Sequence, residues 1–432
     1  MKWLYDFCFL IFALFSIPKF LVRLNQAHDS KELIWQRWGI FSKTLKGRFS
    51  GRRILWLHAV SVGEVMAARQ WIQNFLKDYP TWTLALSATT PTGRQMAETL
   101  ASDRVVVFYA PFDLSNVVRR FLNILQPKMI VLMETELWPN LISEASAFGI
   151  PIGIVNGRIS PRSFKQYQLV SWWLGSILRK LSFCLVQSER DGEYFSKLGM
   201  PQDKIFCTGN MKFDHFGAPE KAPFSTSVIS EREKKLVWVA GSTNWNEEEA
   251  ILRVFSRLRN NFQNLQLILA PRHPEHLSKV IGAVRRNGFQ YRLFSENGSN
   301  HQAPVLLIDR MGVLASLYSL ADVVFVGGSF VRRGGQNPIE AACCRKPLLH
   351  GPNVFNFSEV YQLLNQNHAA FQVQSEEELF QKLKLLLEQP KLRADMGSQA
   401  WSVVQSMKGA TARTLDYLSR WIELREQPVA VA

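Results

Sequence analysis

At 432 residues the chain is too long for one ordinary hydrophobic core, and two domains are expected. Hydrophobic residues at 47% and charged residues at 20% exclude an intrinsically disordered chain. The 51 Lys plus Arg against 36 Asp plus Glu leave a formal charge of +15, which calls for an acidic partner: nucleic acid, an anionic membrane or a phosphorylated substrate.

The chain opens with MKWLYDFCFLIFALFSIPKFLV, an apolar run from Phe7 to Ile17 interrupted by Asp6, Pro18 and Lys19. That is short of the ~20 residues of a clean membrane span. No small-residue cleavage site follows, so a removed signal peptide is disfavoured. Trp3, Tyr5, Lys19 and Arg23 at its edges favour an uncleaved anchor or an interfacial helix over residues 1 to 24, with a buried helix of the first domain as the alternative. If the segment spans, Lys19, Arg23, Lys31 and Arg37 place the rest of the chain in the cytoplasm.

From residue 53 apolar runs alternate with stretches of helical period, the signature of a parallel sheet covered by helices. The runs are Ile54 to Val60, Trp82 to Ala88, Val105 to Tyr109, Met129 to Met133, Ile150 to Val155 and Phe183 to Val186. Residues 216 to 233, rich in Pro, Ser and charge, read as a linker after a first domain at 25 to 215. The alternation restarts with Leu236 to Ala240, Leu265 to Ala270, Val305 to Ile308, Val323 to Val326 and Pro347 to His350, giving a second domain at 234 to 407, and residues 408 to 432 read as a C-terminal helix. The expected fold class is therefore α/β, with two Rossmann-like domains facing a cleft at the carboxyl ends of their strands. The five cysteines, Cys8, Cys184, Cys207, Cys343 and Cys344, form no C-x-x-C pair and read as free thiols in a reducing compartment.

Candidate chemistry lies at the strand ends. In HAVSVGEVMAA, Gly63 permits a tight turn and Glu64 falls in the first turn of the next helix. A carboxylate there is either a general base or a helix-capping group. Glu134 and Glu136 follow another strand and are able to hold a metal, orient a cation, share a proton or start a helix; the absence of any Asp-x-Asp favours a metal-free role. Lys212 in GNMKFD is a mobile cation for a phosphate or carboxylate, or the partner of Asp214. Arg272 and His273 follow a strand of the second domain and suit an anionic group, with a structural role the alternative for His273. Gly327, Gly328 and the GGQNPIE turn allow backbone N–H groups to approach a ligand, with Pro338 opening a helix whose start suits phosphate and Glu340 suited to ribose hydroxyls.

Taken in order, HAVSVGEVMAA, TTPTG, METELWPNL, NGRIS, GNMKFD, AGST, APRHPE, FVGGS and GGQNPIE resemble the transferases of lipopolysaccharide synthesis that attach Kdo, an acidic eight-carbon sugar. The resemblance runs from about residue 50 to 360. It implies a GT-B fold, a CMP-Kdo donor, a lipid A precursor as acceptor and inversion at the anomeric carbon, and the N-terminal membrane anchor fits it; with no Asp-x-Asp and with Lys212 and Arg272 as candidate cations, no metal or cofactor is expected. With the basic charge and the N-terminal segment, attachment to the anionic inner-membrane surface is expected, the catalytic domains on the cytoplasmic side, and the lack of a recognisable nucleic-acid module, with basic residues dispersed, argues against a nucleic-acid partner. By the same resemblance Glu64 is the proton acceptor, Glu134 and Lys212 stabilise the transition state, and Arg272, His273, Met311, Gly312, Val313, Asn337, Pro338, Ile339 and Glu340 hold CMP. Two positions depart from the family: Val313 stands where Glu is usual after Met-Gly, and Gln336 where His is usual before Asn-Pro.

Overall fold

A computed structural model describes residues 5–7, 9–11, 30–214, 235–296 and 303–426. The linker expected at 216 to 233 and most of the segment expected to be an anchor lie outside these residues. The chain divides into two compact units, 1–215 with 408–432 and 216–407.

The first unit is built on seven strands: β1 Arg53–His58, β2 Trp82–Ala88, β3 Val105–Tyr109, β4 Met129–Met133, β5 Ile152–Gly157, β6 Phe183–Val186 and β7 Ile205–Cys207. They lie in the order β3-β2-β1-β4-β5-β6-β7, and every pairing is parallel. Parallel strands are covered on both faces, which is why these read as continuous apolar runs. Side chains alternate between the faces, so Ile54 and Trp56 enter one core cluster with Phe108 and Phe121 while Leu55 and Leu57 enter another with Trp71 and Phe75. The helix Val62–Asp78 supplies part of the second cluster through Val65, Ala68, Trp71, Ile72 and Phe75.

The second unit repeats the architecture with β8 Leu236–Thr243, β9 Leu265–Pro271, β10 Tyr291–Leu293, β11 Val305–Leu307, β12 Val323–Val326, β13 Leu348–His350 and β14 Ala370–Gln372. Their order is β10-β11-β9-β8-β12-β13-β14, again all parallel. In both sheets the order reverses beside the first strand, between β1 and β4 and between β8 and β12. A reversal of this kind opens a crevice at the carboxyl ends of the strands.

Among the described residues no helix is long and apolar enough to cross a membrane. Residues 5–7 and 9–11 are helical and are built into the first unit. The Asp6 carboxylate accepts the Ser115 N–H at 3.2 Å, the Ser115 hydroxyl at 2.5 Å and the Asn140 amide at 2.6 Å, and Tyr5 stacks on Trp173. Phe7, Leu10 and Ile11 remain exposed.

The helix Ala410–Glu426 returns to the first unit after the second is complete. Its Ala410, Leu418 and Ile422 sit in the same cluster as Phe183 and Met211. Asp214 fixes its start by accepting the Gly409 N–H at 2.6 Å and the Thr411 N–H at 2.5 Å. Asp214→Ala removes both charge-assisted bonds and should cost about 1–3 kcal/mol in urea unfolding. Amide exchange should accelerate in residues 410–426 more than in the central strands; uniform acceleration would count against a local role.

Candidate active site

At the carboxyl end of β1 the chain turns through Ala59 and Val60 into a helix whose N-cap is Ser61. The Ser61 hydroxyl accepts the Glu64 N–H at 3.4 Å and donates to Glu64 Oε1 at 2.8 Å, while Glu64 Oε2 accepts the Val60 N–H at 2.7 Å. This is a capping box displaced by one residue. Each carboxylate oxygen keeps a lone pair beyond these bonds, so capping and proton acceptance are compatible. Glu64 is 7% exposed. Burial pushes its carboxyl up to about 7, opposed by the Val60 N–H and the Ser61 hydroxyl and reinforced by the like charges of Glu136 and Glu134. A carboxyl poised there exchanges protons readily near neutral pH.

Glu134 follows β4 directly and adopts φ 53°, an uncommon backbone for a residue with a side chain. Its N–H bonds to Val155 O at 2.9 Å, and its Oε1 accepts Lys212 Nζ at 2.7 Å. Lys212 thus pairs with Glu134, and Asp214 is committed to the C-terminal helix, which corrects the alternative pairing of the two. Glu136 accepts the Trp138 indole N–H at 2.9 Å, and burial raises its carboxyl.

Three residues that the sequence did not single out position Lys212. Asn156, fully buried in β5 with φ 56°, accepts the Met211 N–H at 3.0 Å. Gln187 donates to Asn156 O at 3.0 Å and accepts the Asn210 amide at 2.9 Å, and Asn210 Oδ1 accepts the Lys212 N–H at 3.0 Å. A polar residue inside an apolar strand was the available signal for Asn156. His58 closes β1 with its Nδ1 2.9 Å from Ser87 Oγ and the Trp138 ring edge-on at 5.1 Å. Burial first, and then the Arg37 charge, hold its imidazole down at about 3, so it is neutral at physiological pH.

The second unit holds a pocket of about 470 Å³ at the carboxyl ends of β8, β9 and β11. Arg272, Met311, Gly312, Asn337 and Glu340 line it, together with Gln336, the departure noted above, and with Ser242, Arg310 and Tyr318, which the sequence had not marked as ligand contacts. Burial raises the Glu340 carboxyl, while an Asn337 hydrogen bond and the Arg272 charge pull it down. His273 lies outside this lining, half-exposed, with Nδ1 3.1 Å from Glu275. Val313, Pro338 and Ile339 are buried and present no side chain to the pocket. Pro338 precedes a helix of only five residues, Ile339–Cys343, and the Ile339 N–H is taken by Asn337 Oδ1 at 3.0 Å. The N–H groups of Gly328, Ser329 and Phe330 are also taken, all by Glu247. The glycine-rich turn therefore has no free donors at these three positions, and the cationic side chains on the pocket lining are Arg272 and Arg310. Among the described residues no group of three His, Cys, Asp or Glu side chains is placed to hold a metal ion.

A family model described as 3-deoxy-D-manno-octulosonic-acid transferase (kdotransferase) matches residues 32–215. The chain is 34% identical over 372 residues to the 3-deoxy-D-manno-octulosonic acid transferase of Haemophilus influenzae, covering 85% of this chain and 87% of that one. Against the protein of the same name from Bordetella pertussis it is 32% identical over 408 residues, 89% and 93% of the two chains. Among solved structures, a glycosyltransferase from Rickettsia africae matches with a TM-score of 0.57 at 13% identity, over 88% of this chain and all of that one. The UDP-GlcNAc 2-epimerase of Neisseria meningitidis, bound to UDP-GlcNAc, also matches with a TM-score of 0.57 at 14% identity, over 85% of this chain and 100% of that one. At these identities the structural matches establish the fold alone.

The raised Glu64 carboxyl is directly measurable. In protein labelled at the Glu side-chain carbons, two resonances should titrate near pH 7, those of Glu64 and Glu248, and one of them should vanish in Glu64→Gln. Glu136→Gln removes a neighbouring negative charge and should shift the Glu64 midpoint down. A Glu64 midpoint in the ordinary carboxylate range would refute this account of the site.

Proposed function

The chain belongs to the 3-deoxy-D-manno-octulosonic-acid (Kdo) transferase family and is a glycosyltransferase, and we propose that it moves Kdo from CMP-Kdo to a lipid A precursor (lipid IVA) with inversion at the anomeric carbon. The observation that carries the mechanism is the Glu64 carboxyl, buried at the end of β1, pushed to about 7 and retaining acceptor capacity beyond its capping bonds. In the reaction Glu64 takes the proton of the acceptor hydroxyl as its oxygen forms the new bond to the anomeric carbon. The bond from that carbon to the phosphate oxygen breaks, and CMP leaves with the electron pair.

Lys212, paired with Glu134 and held in the chain by its own N–H donating to Asn210 and the Met211 N–H donating to Asn156, supplies fixed positive charge as anionic charge develops. The pocket of the second unit takes CMP, with Arg272 and Arg310 meeting the phosphate and Glu340 accepting from the ribose hydroxyls. Gln336 stands on the wall of that pocket and keeps a donor where the family usually has His. Val313 is buried, so its backbone, not its side chain, is what this position offers the donor. Catalysis proceeds without a divalent metal: the cations required are Lys212, Arg272 and Arg310.

Attachment to the cytoplasmic face of the inner membrane completes the reading. It is supported by the +15 formal charge and by the exposed Phe7, Leu10 and Ile11 on the N-terminal segment. Because Asp6 bonds to Ser115 and Asn140, the described part of that segment also helps to order the first unit.

The deciding experiment is incubation with CMP-Kdo and tetra-acylated lipid A precursor in the presence of a chelator, followed by mass spectrometry of the lipid. Increments of one or more Kdo masses are expected; none, or turnover that appears only when magnesium is restored, would overturn the donor, acceptor or metal assignment in turn. Glu64→Gln should lower kcat by roughly 10²-fold or more while CMP binding persists. In the unmodified, substrate-free enzyme Glu64 is largely protonated below pH 7 and cannot accept a proton, so kcat/KM should fall about tenfold per pH unit there and level off above it. Near-normal turnover by Glu64→Gln would move the base to Glu134 or Glu136.

A further inference from the structure

We propose that Glu247 is a positioning residue for the nucleotide-sugar pocket, its carboxylate clamping two main-chain walls of that pocket to each other. The inference rests on the reading that this pocket receives CMP-Kdo. Glu247 opens the helix Glu247–Arg259 and is 1% exposed. Its Oε1 accepts the N–H groups of Ser329 at 2.9 Å and Phe330 at 2.8 Å, and its Oε2 accepts those of Asn244 at 2.8 Å and Gly328 at 2.7 Å. Four main-chain donors converge on one carboxylate, two on each oxygen, the full capacity of the group.

These donors belong to two segments that reach the pocket. Asn244 lies two residues beyond Ser242, which lines the pocket and is held at φ 53°. Gly328 carries the other wall: its carbonyl accepts the Gly335 N–H at 2.8 Å, and the Gly327 carbonyl accepts the Gln336 N–H at 3.1 Å. Gln336 and Asn337 line the pocket. The two segments touch so closely that a Cβ on Gly327 would lie 2.5 Å from Thr243 Cα. Glu247 therefore sits behind the pocket and bonds to both strand-end loops that form it.

Its neighbours in the acidic run do other work. Glu248 accepts the Thr243 hydroxyl at 2.9 Å, and Glu249 pairs with Arg286 at 2.7 Å. Glu247 alone of the three bonds to the 328–330 turn. By filling that turn with a protein carboxylate the fold fixes its shape before any nucleotide arrives. A pocket wall held in this way contributes equally to the ground and transition states, so its loss appears in donor affinity and not in the chemical step.

The test uses CMP as the calorimetric probe and CMP-Kdo as the kinetic one, on the full-length protein. Wild type should bind CMP. Glu247→Gln keeps the shape but turns an NH2 group towards N–H donors; it should raise the CMP Kd and the CMP-Kdo KM about tenfold, with kcat within roughly threefold of wild type. Glu247→Asp keeps the charge on a shorter arm and should show a smaller loss of affinity, which supplies the reading if the Gln variant fails to fold. Leu258→Ala, in the buried face of the same helix, is the control: it should lower Tm and leave the CMP Kd unchanged. If folded Glu247→Gln or Glu247→Asp binds CMP as tightly as wild type, or if Leu258→Ala weakens CMP equally, Glu247 is merely structural and the proposal is overturned. If wild type itself does not bind CMP, the donor reading fails and this inference falls with it.

Discussion

The loops that leave the carboxyl ends of both sheets are held by buried or half-buried carboxylates accepting main-chain N–H groups. Glu64 takes Val60, Asp113 takes Asn140 and Leu141, Asp191 takes Ile159, Asp214 takes Gly409 and Thr411, and Glu247 takes four donors. A strand-end loop exposes more N–H groups than its own carbonyls can satisfy, and an unpaired buried donor costs about 1–3 kcal/mol. A carboxylate meets two or more such donors at once, and an ionised acceptor makes stronger bonds than a neutral one. Both crevices inherit their shape from this device.

The two units apply it to opposite ends. In the first, Glu64 keeps spare acceptor capacity and sits near Glu134 and Glu136, so the group that caps the helix also holds a carboxyl poised near neutral pH. The second saturates Glu247 and leaves its arginines to line the pocket. Proton transfer needs an acid group that is incompletely satisfied, whereas recognition of an anion needs fixed cations and a rigid frame.

The interior strands were legible because each is buried on both faces and reads as an unbroken apolar run. The strands missed, β7, β10 and β14, are all sheet edges of three residues, and Phe206 and Cys207 in β7 are exposed. At the site, strand ends marked Glu64 and Glu134, since the position after a buried run is readable from order alone, whereas Lys212 was marked by the GNMKFD segment and not by a strand. The state of the Glu64 carboxyl was not readable: its rise depends partly on Glu134 and Glu136, which arrive from β4, more than 60 residues along the chain. The φ of 53° at Glu134 and 56° at Asn156 also has no signature without glycine. Glu247 was hidden inside the run Glu247-Glu248-Glu249, where any of the three reads as an ordinary helix-start acid.

The helix Ala410–Glu426 gives the molecule an order in time as well as in space. Leu418 and Ile422 fill a cluster lined by Phe183 and Met211, residues made long before them. A ribosome adding roughly 5–20 residues per second takes on the order of 10–40 s to pass from His215 to Lys408. Through that interval the first unit waits with an apolar face open while the second is synthesised in full. The second unit is thus the first able to complete its core during translation, while the nascent first unit keeps that apolar face open to aggregation.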